Sequence, residues 1–203
     1  MTDPQSHYTP DQQREMLALV RDIVTDVLSA RRPARRPTAD YPDYLQAPRG
    51  CFVTLHHRHG RLRGCIGTFD DARPLIESLT EMAGAATRDP RFITNGPVVL
   101  AELNDLLIEI SVLTPMQPME DPLDLRIGTD GIYIRAADRS GCFLPQVAPE
   151  QGWDATETLT YCCAHKMGLD ANAWRSPTDL EFFRFQAIVF GESAPEVLAD
   201  VAP

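Results

Sequence analysis

Long apolar runs are missing from this chain. No stretch approaches the ~20 residues that a membrane-spanning helix needs, so no membrane partner is expected. The first fifteen residues, MTDPQSHYTPDQQRE, are polar and contain no signal-peptide core, which predicts a cytoplasmic protein. Positive charge is scarce. There are 19 Lys+Arg against 29 Asp+Glu, a formal net charge of −10, and almost every basic residue is arginine. Such a chain repels phosphate backbones on average, which argues against a nucleic-acid partner. No CxxC pair occurs, and the five cysteines are odd in number; neither a disulfide scaffold nor a Cys-rich zinc site is expected. GxSxG, P-loop and GxGxxG motifs are all absent, so α/β-hydrolase, P-loop NTPase and Rossmann readings lack their signatures. What is present is a chain of 203 residues with the apolar and charged fractions of a globular protein. That length can bury a core without covalent or metal staples.

The clearest element is a helix over 9–31. Thr9 and Gln12 form a capping box, Pro10 fits the first turn, and Met16, Val20, Ile23, Val24 and Val27 repeat at helical spacing. The Pro- and Arg-rich segment 31–50 reads as an irregular connection. Residues 51–69 read as a hairpin turning at Gly60, and a second helix starts at Pro74 and stops near Pro90. LLIEISVL (106–113) reads as a strand and 114–124 as a proline-broken loop. A second hairpin is expected over 132–144, a helix over 156–166, and one long strand over 181–190. Strand pairs lie close in sequence and helices interrupt them irregularly. The pattern predicts an α+β fold: a largely antiparallel sheet with flanking helices.

One segment carries the strongest chemical signal. In RLRGCIGTFDD (61–71), Cys65 stands between Gly64 and Gly67, after Arg61 and Arg63. A thiolate is favoured by neighbouring arginine, and glycines let another group approach the backbone closely. Arg61, Arg63 and Cys65 share a face only if no bulge intervenes. The alternative is a small core cysteine with glycines as packing devices. HHRHG (56–60) puts His57 and His59 on one strand face, but at a hairpin tip with no carboxylate partner in view; it reads as a solvated turn, and no metal is expected. DGIYIRAADRSG has the wrong spacing for a calcium loop despite Asp130 and Asp138. Cys162 and His165 could form a nucleophile pair on the 156–166 helix. FLPQVAPEQGWD (143–154) reads as a shaped loop rather than a regular element, able to wall a pocket with Gln146 and Trp153.

FVTL…LRGCIGTF, RDPRF, LLIEISVLTP, IGTDGIYI, SGCFLPQVAPEQGWD and FRFQAIVF occur in this order. Together, from about residue 11 to 192, they resemble the AMMECR domain family, whose prokaryotic members are called protein A of the AmmeMemoRadiSam system. The resemblance implies one domain over 1–203, with a core at 50–192 and a tail at 193–203. It also implies a main part, a smaller lobe and a cleft between them lined by Arg63, Gly64, Cys65, Ile66 and Gly67. The matches add Asp89, Pro90, Arg91 and Phe92 from DPRF, and Pro145 and Gln146 from LPQV. Memo-like and radical-SAM proteins are the implied pathway partners. No cofactor and no settled reaction follow from the resemblance.

Two functional expectations result. In one, the cysteine-centred cleft holds a small metabolite or anionic ligand, a modified peptide or a partner-protein segment, with no chemistry of its own, and Cys65 is chosen for size. In the other, Cys65 is a nucleophile, Arg63 and Arg91 hold an anionic substrate, the Gly64 to Gly67 amides stabilise developing charge, Gln146 orients the substrate, and Asp89 is the best candidate for the base.

Overall fold

In the computed structural model of the chain, residues 7–31, 36–175 and 179–193 are described. Two four-stranded antiparallel sheets with flanking helices make an α+β fold, and the chain divides into two compact units. The first holds residues 1–112 and 188–203, the second 113–187.

The first unit begins with α1 (Pro10–Leu28). Its capping box is formed: the Gln12 amide donates to Thr9 Oγ1 at 3.3 Å, and the Thr9 amide donates to Gln12 Oε1 at 2.9 Å. Met16, Val20, Ile23 and Val24 of the predicted stripe are buried. Within the connection 31–50, Asp43–Gln46 forms the short helix α2, and residues 32–35 lie outside the described residues. The hairpin is β1 (Cys51–His57) and β2 (Leu62–Thr68), followed by α3 (Leu75–Ala86) and then β3 (Leu106–Leu113). Sheet order is β2-β1-β3-β8, with β8 at Ala187–Gly191. Strand alternation divides the residues by face. Val53, Leu55, Ile108 and Ile110 join α1 and α3 in one core, whereas Phe52, Thr54 and His56 point to the opposite face. Arg21 of α1 donates from Nε to Glu192 Oε1 at 2.6 Å, tying the helix to the end of β8.

In the second unit the order is β4-β7-β5-β6, from β4 (Gln117–Met119), β5 (Gly131–Arg135), β6 (Ser140–Phe143) and β7 (Glu181–Phe185). Three expectations change here. The proline-broken loop 114–124 contains β4, because Pro118 is tolerated on an edge strand that needs no further donor. The shaped loop 143–154 contains the helix α4 (Val147–Gln151), closed by Gly152 at φ 71°. The single strand expected over 181–190 is two strands in two different sheets, β7 and β8, broken at Gln186. There the Gln186 amide donates to Thr114 Oγ1 at 2.8 Å and its carbonyl accepts from the Thr114 amide at 2.9 Å. Helix α5 (Ala155–Tyr161) starts at a capping box of Asp154 and Glu157 and runs into a wider π-turn over Cys162–Lys166. Asp130 is buried and accepts from Arg126 Nε at 2.8 Å and Nη2 at 2.7 Å.

Candidate functional site

Cys65 sits on β2, the outer strand of the first sheet. Its direct partner across the hairpin is Thr54. The Cys65 amide and carbonyl point away from β1, where an edge strand would leave both exposed to any passing strand. Here two side chains take the place of the missing neighbour. Asp89 Oδ2 accepts from the Cys65 amide at 2.9 Å, and Arg91 Nη2 donates to the Cys65 carbonyl at 2.7 Å. By alternation the Gly67 amide points off the same edge, two residues further on.

The Asp89–Pro90–Arg91 turn holds itself in shape. Asp89 Oδ1 accepts from the Arg91 amide at 3.0 Å and from Arg91 Nε at 3.1 Å, and Oδ2 accepts from Arg91 Nη2 at 2.6 Å. The Asp89 side chain is 0% exposed and that of Arg91 is 56% exposed. Burial pushes the Asp89 carboxyl up, but the Arg91 guanidinium and the amides of Cys65 and Arg91 outweigh it and hold the group below the usual carboxylate range. The Arg91 guanidinium is in turn held ionised first by Asp89, with Cys65 adding to the effect. Asp89 was the expected base. The structure makes it an anchor: an ionised, fully engaged carboxylate is a poor proton acceptor.

Gly64 allows this assembly. An added methyl carbon would lie 2.1 Å from the Ala86 carbonyl oxygen at the end of α3, so only a bare Cα lets the helix end approach β2 and bring Asp89 within reach. Gly67 lies under the Phe52 ring, where a methyl carbon would come within 2.2 Å of ring atoms.

Arg63 goes elsewhere. The pairing of β1 with β2 shifts between Leu55 and His56: Leu55 faces Gly64 and His56 faces Leu62, which leaves Arg63 as the extra residue of a bulge. The alternation that would have aligned Arg61, Arg63 and Cys65 is therefore broken. Arg63 is 6% exposed, donates from Nε to Glu102 Oε2 at 2.8 Å and from Nη2 to Glu102 Oε1 at 3.1 Å, and reaches the Gly96 carbonyl at 3.2 Å. Its fork is spent on Glu102, whose carboxyl it pulls below the usual range. Gln146 belongs to the second unit, half-buried at the start of α4. The histidine turn has the carboxylate that the sequence did not show: His57 Nδ1 lies 3.0 Å from Asp105 Oδ2. Among the described residues no group of three or more His, Cys, Asp or Glu could hold a metal ion.

The cysteines separate by burial. Cys51, Cys162 and Cys163 are buried; burial pushes the Cys51 thiol up to about 12 and raises the other two. Cys162 makes no pair with His165, whose ring stacks on Tyr161 at 5.5 Å. Cys65 is half-buried, and the Thr54 hydroxyl lies 3.3 Å from its sulfur as a donor. Thr54 is 6% exposed and escaped the sequence reading, because one threonine inside FVTL carries no local signal of what it faces. Glu102 escaped it too, since its partner lies 39 residues away.

Two antiparallel sheets with helical cover, and an edge-strand thiol whose backbone is clamped by an Asp-Pro-Arg turn, define an α+β protein with a braced cysteine on a sheet edge. The chain belongs to the AMMECR1 family, whose model matches residues 17–190. A protein of Methanothermobacter thermautotrophicus is 41% identical over 189 residues, covering 90% of this chain and 95% of its own. One from Methanocaldococcus jannaschii is 41% identical over 163 residues, covering 76% and 79%. The crystal structure of an uncharacterised protein from Pyrococcus horikoshii superposes with a TM-score of 0.78 at 34% identity, covering 89% of this chain and 91% of that one. Among the described residues no helix is long and apolar enough to cross a membrane.

Proposed function

We propose that the Cys65 edge is the binding site of this AMMECR1-family protein and that it takes a small anionic ligand. One observation carries this: the Arg91 guanidinium is fixed beside Cys65 by Asp89 yet remains 56% exposed, with Nη1 outside those bonds. A cation held in one place loses little freedom when an anion arrives. Gly67 contributes an outward amide, Cys65 the polarizable centre. Arg63, bound to Glu102, is left out of the ligand's reach, so a single arginine carries the recognition. A second reading, Cys65 as a nucleophile toward that ligand, is favoured by the hydroxyl of Thr54 at the sulfur. The family resemblance further implies a pathway shared with Memo-like and radical-SAM proteins.

Iodoacetate and iodoacetamide test the anion site, since they differ in charge and little else. Alkylation of Cys65, read by peptide mass spectrometry, is expected to favour iodoacetate about fivefold over the ratio shown by free cysteine. That factor corresponds to about 1 kcal/mol for a half-exposed charge pair. Arg91→Lys keeps the preference and Arg91→Gln removes it. Equal ratios in the wild type and Arg91→Gln would mean that Arg91 recognises no anion.

A further inference from the structure

A carboxylate that plays no part in the brace lies on the same sheet face as Cys65. Register across the first sheet pairs Cys65 with Thr54, and Thr54 with Glu109 of β3. Directly opposed residues share a face, with Cβ atoms about 4.5–5.5 Å apart. Cys65, Thr54 and Glu109 therefore form a row running across β2, β1 and β3. Thr54 Oγ1 lies 3.3 Å from the sulfur, and Thr54 and Glu109 are neighbours by register, with no hydrogen bond between their side chains. Beyond Glu109 stands Gly191 of β8, where even an added methyl carbon would lie 3.4 Å from Glu109 Cβ; the glycine leaves the space beside the carboxylate free of a side chain. Glu109 is half-buried, and among the described residues its side chain makes no hydrogen bond or ion pair. Two residues along β3 on the same face, Ser111 is 1% exposed and its hydroxyl has no partner. Glu109 thus stands in a strand whose one other polar side chain is the unsatisfied Ser111, and one residue away from a thiol across the sheet. Among the described residues nothing pairs with its charge.

We propose that Glu109 is the proton acceptor of the Cys65 site, acting through the Thr54 hydroxyl. The proposal rests on the reading of Cys65 as a nucleophile. As the sulfur attacks, its S–H bond breaks and the proton goes to Thr54 Oγ1. The Thr54 O–H proton passes to a Glu109 carboxylate oxygen, and the electron pair left on sulfur forms the new bond to carbon. With iodoacetamide as the electrophile, the S–C bond forms, the C–I bond breaks and iodide leaves. Thr54 touches the reacting atom; Glu109 acts through it. This arrangement supplies the base that Asp89, locked in the brace, does not.

The test is the rate of Cys65 alkylation by iodoacetamide between pH 5.5 and 9, in the intact chain, read at the Cys65 peptide. Wild type is expected to keep a substantial rate below pH 8. Glu109→Gln and Thr54→Val are each expected to lose about tenfold there and to converge with wild type above pH 9, where hydroxide removes the proton. Thr54→Ser keeps the hydroxyl and restores the rate. The double variant is no slower than either single one, because the two residues act in series. Unchanged urea midpoints for Glu109→Gln show that the fold is intact. A Glu109→Gln rate equal to or above the wild-type rate at pH 6.5 would overturn the proposal; an increase would mean that the carboxylate only repels the thiolate. The iodoacetate-to-iodoacetamide ratio is read in the same samples. Loss of the anion preference with an intact Glu109 effect removes the ligand class, whereas the reverse result removes only the proton path.

Discussion

Gly64→Ala is expected to lower the stability of the chain by about 3 kcal/mol or more, read as a fall in the urea midpoint and a loss of about 10 °C in Tm. The methyl carbon would stand 2.1 Å from the Ala86 carbonyl oxygen and 3.2 Å from its carbon. Both are backbone atoms at the end of α3, so no rotamer change relieves the overlap; β2 or the helix end must move. Folded chains have only about 5–15 kcal/mol in hand, so this one methyl removes a large share. The displacement also pulls Asp89, three residues beyond Ala86, away from the Cys65 amide. The anion preference of the alkylation test should therefore fall with the stability. Gly60→Ala gives the contrast: its added carbon meets nothing within 4 Å, and the cost is that of φ +82° alone, about 1–2 kcal/mol. Equal losses at the two positions would show that the close approach of α3 to β2 is dispensable.

Asp89→Ala is expected to cost about 3 kcal/mol. The amides of Cys65 and Arg91 both lose their acceptor, at about 1–3 kcal/mol for a fully buried donor and less for these two partly buried ones, and the emptied space adds the rest. The guanidinium of Arg91 adds little to this total, because it is more than half exposed and water screens it. Asp89→Asn keeps the shape and an acceptor and should lose about half as much. The pH dependence follows from the lowered carboxyl of Asp89. The ionised group stabilises the fold fully above the unfolded value near ~4, and that contribution is lost as pH falls through the lower folded value. The gap between wild type and Asp89→Asn should therefore be constant from pH 5 to 8 and close on acidification below about pH 4. A gap that does not narrow at all between about pH 4 and pH 2 would mean that the charge of Asp89 contributes nothing.

Parts of the candidate site were legible along the chain. Gly-Cys after two arginines marked the thiol, and Pro90 marked the stop of the preceding helix. That Arg63 would leave and Arg91 would stay was not legible. A bulge of one residue reverses which face a side chain takes, and nothing local in RLRGC announces it. Both arginines have the same charge; Glu102 and Asp89 decide between them from 39 and 2 residues away. A signal for Glu109 was present in LLIEISVL, where one carboxylate interrupts an apolar run. Its place in a row with Thr54 and Cys65 needed the register of three strands.

The sequence by itself determined the local elements that cap, turn and alternate within a few residues: the Thr9 box, the stripe of α1, the Gly60 hairpin and the apolar face of β3. It also settled the α+β class, because short strand pairs and scattered helices leave few other packings. Only the tertiary structure decided that FRFQAIVF belongs to two sheets, that the edge of β2 is closed by an aspartate and an arginine instead of a strand, and that one buried carboxylate is locked in a brace while another, half-buried, has no side-chain partner among the described residues. The physical reason is range. Caps and turns are fixed by bonds between near neighbours, whereas an edge, a bulge and a row across a sheet are fixed by which distant segment supplies the partner.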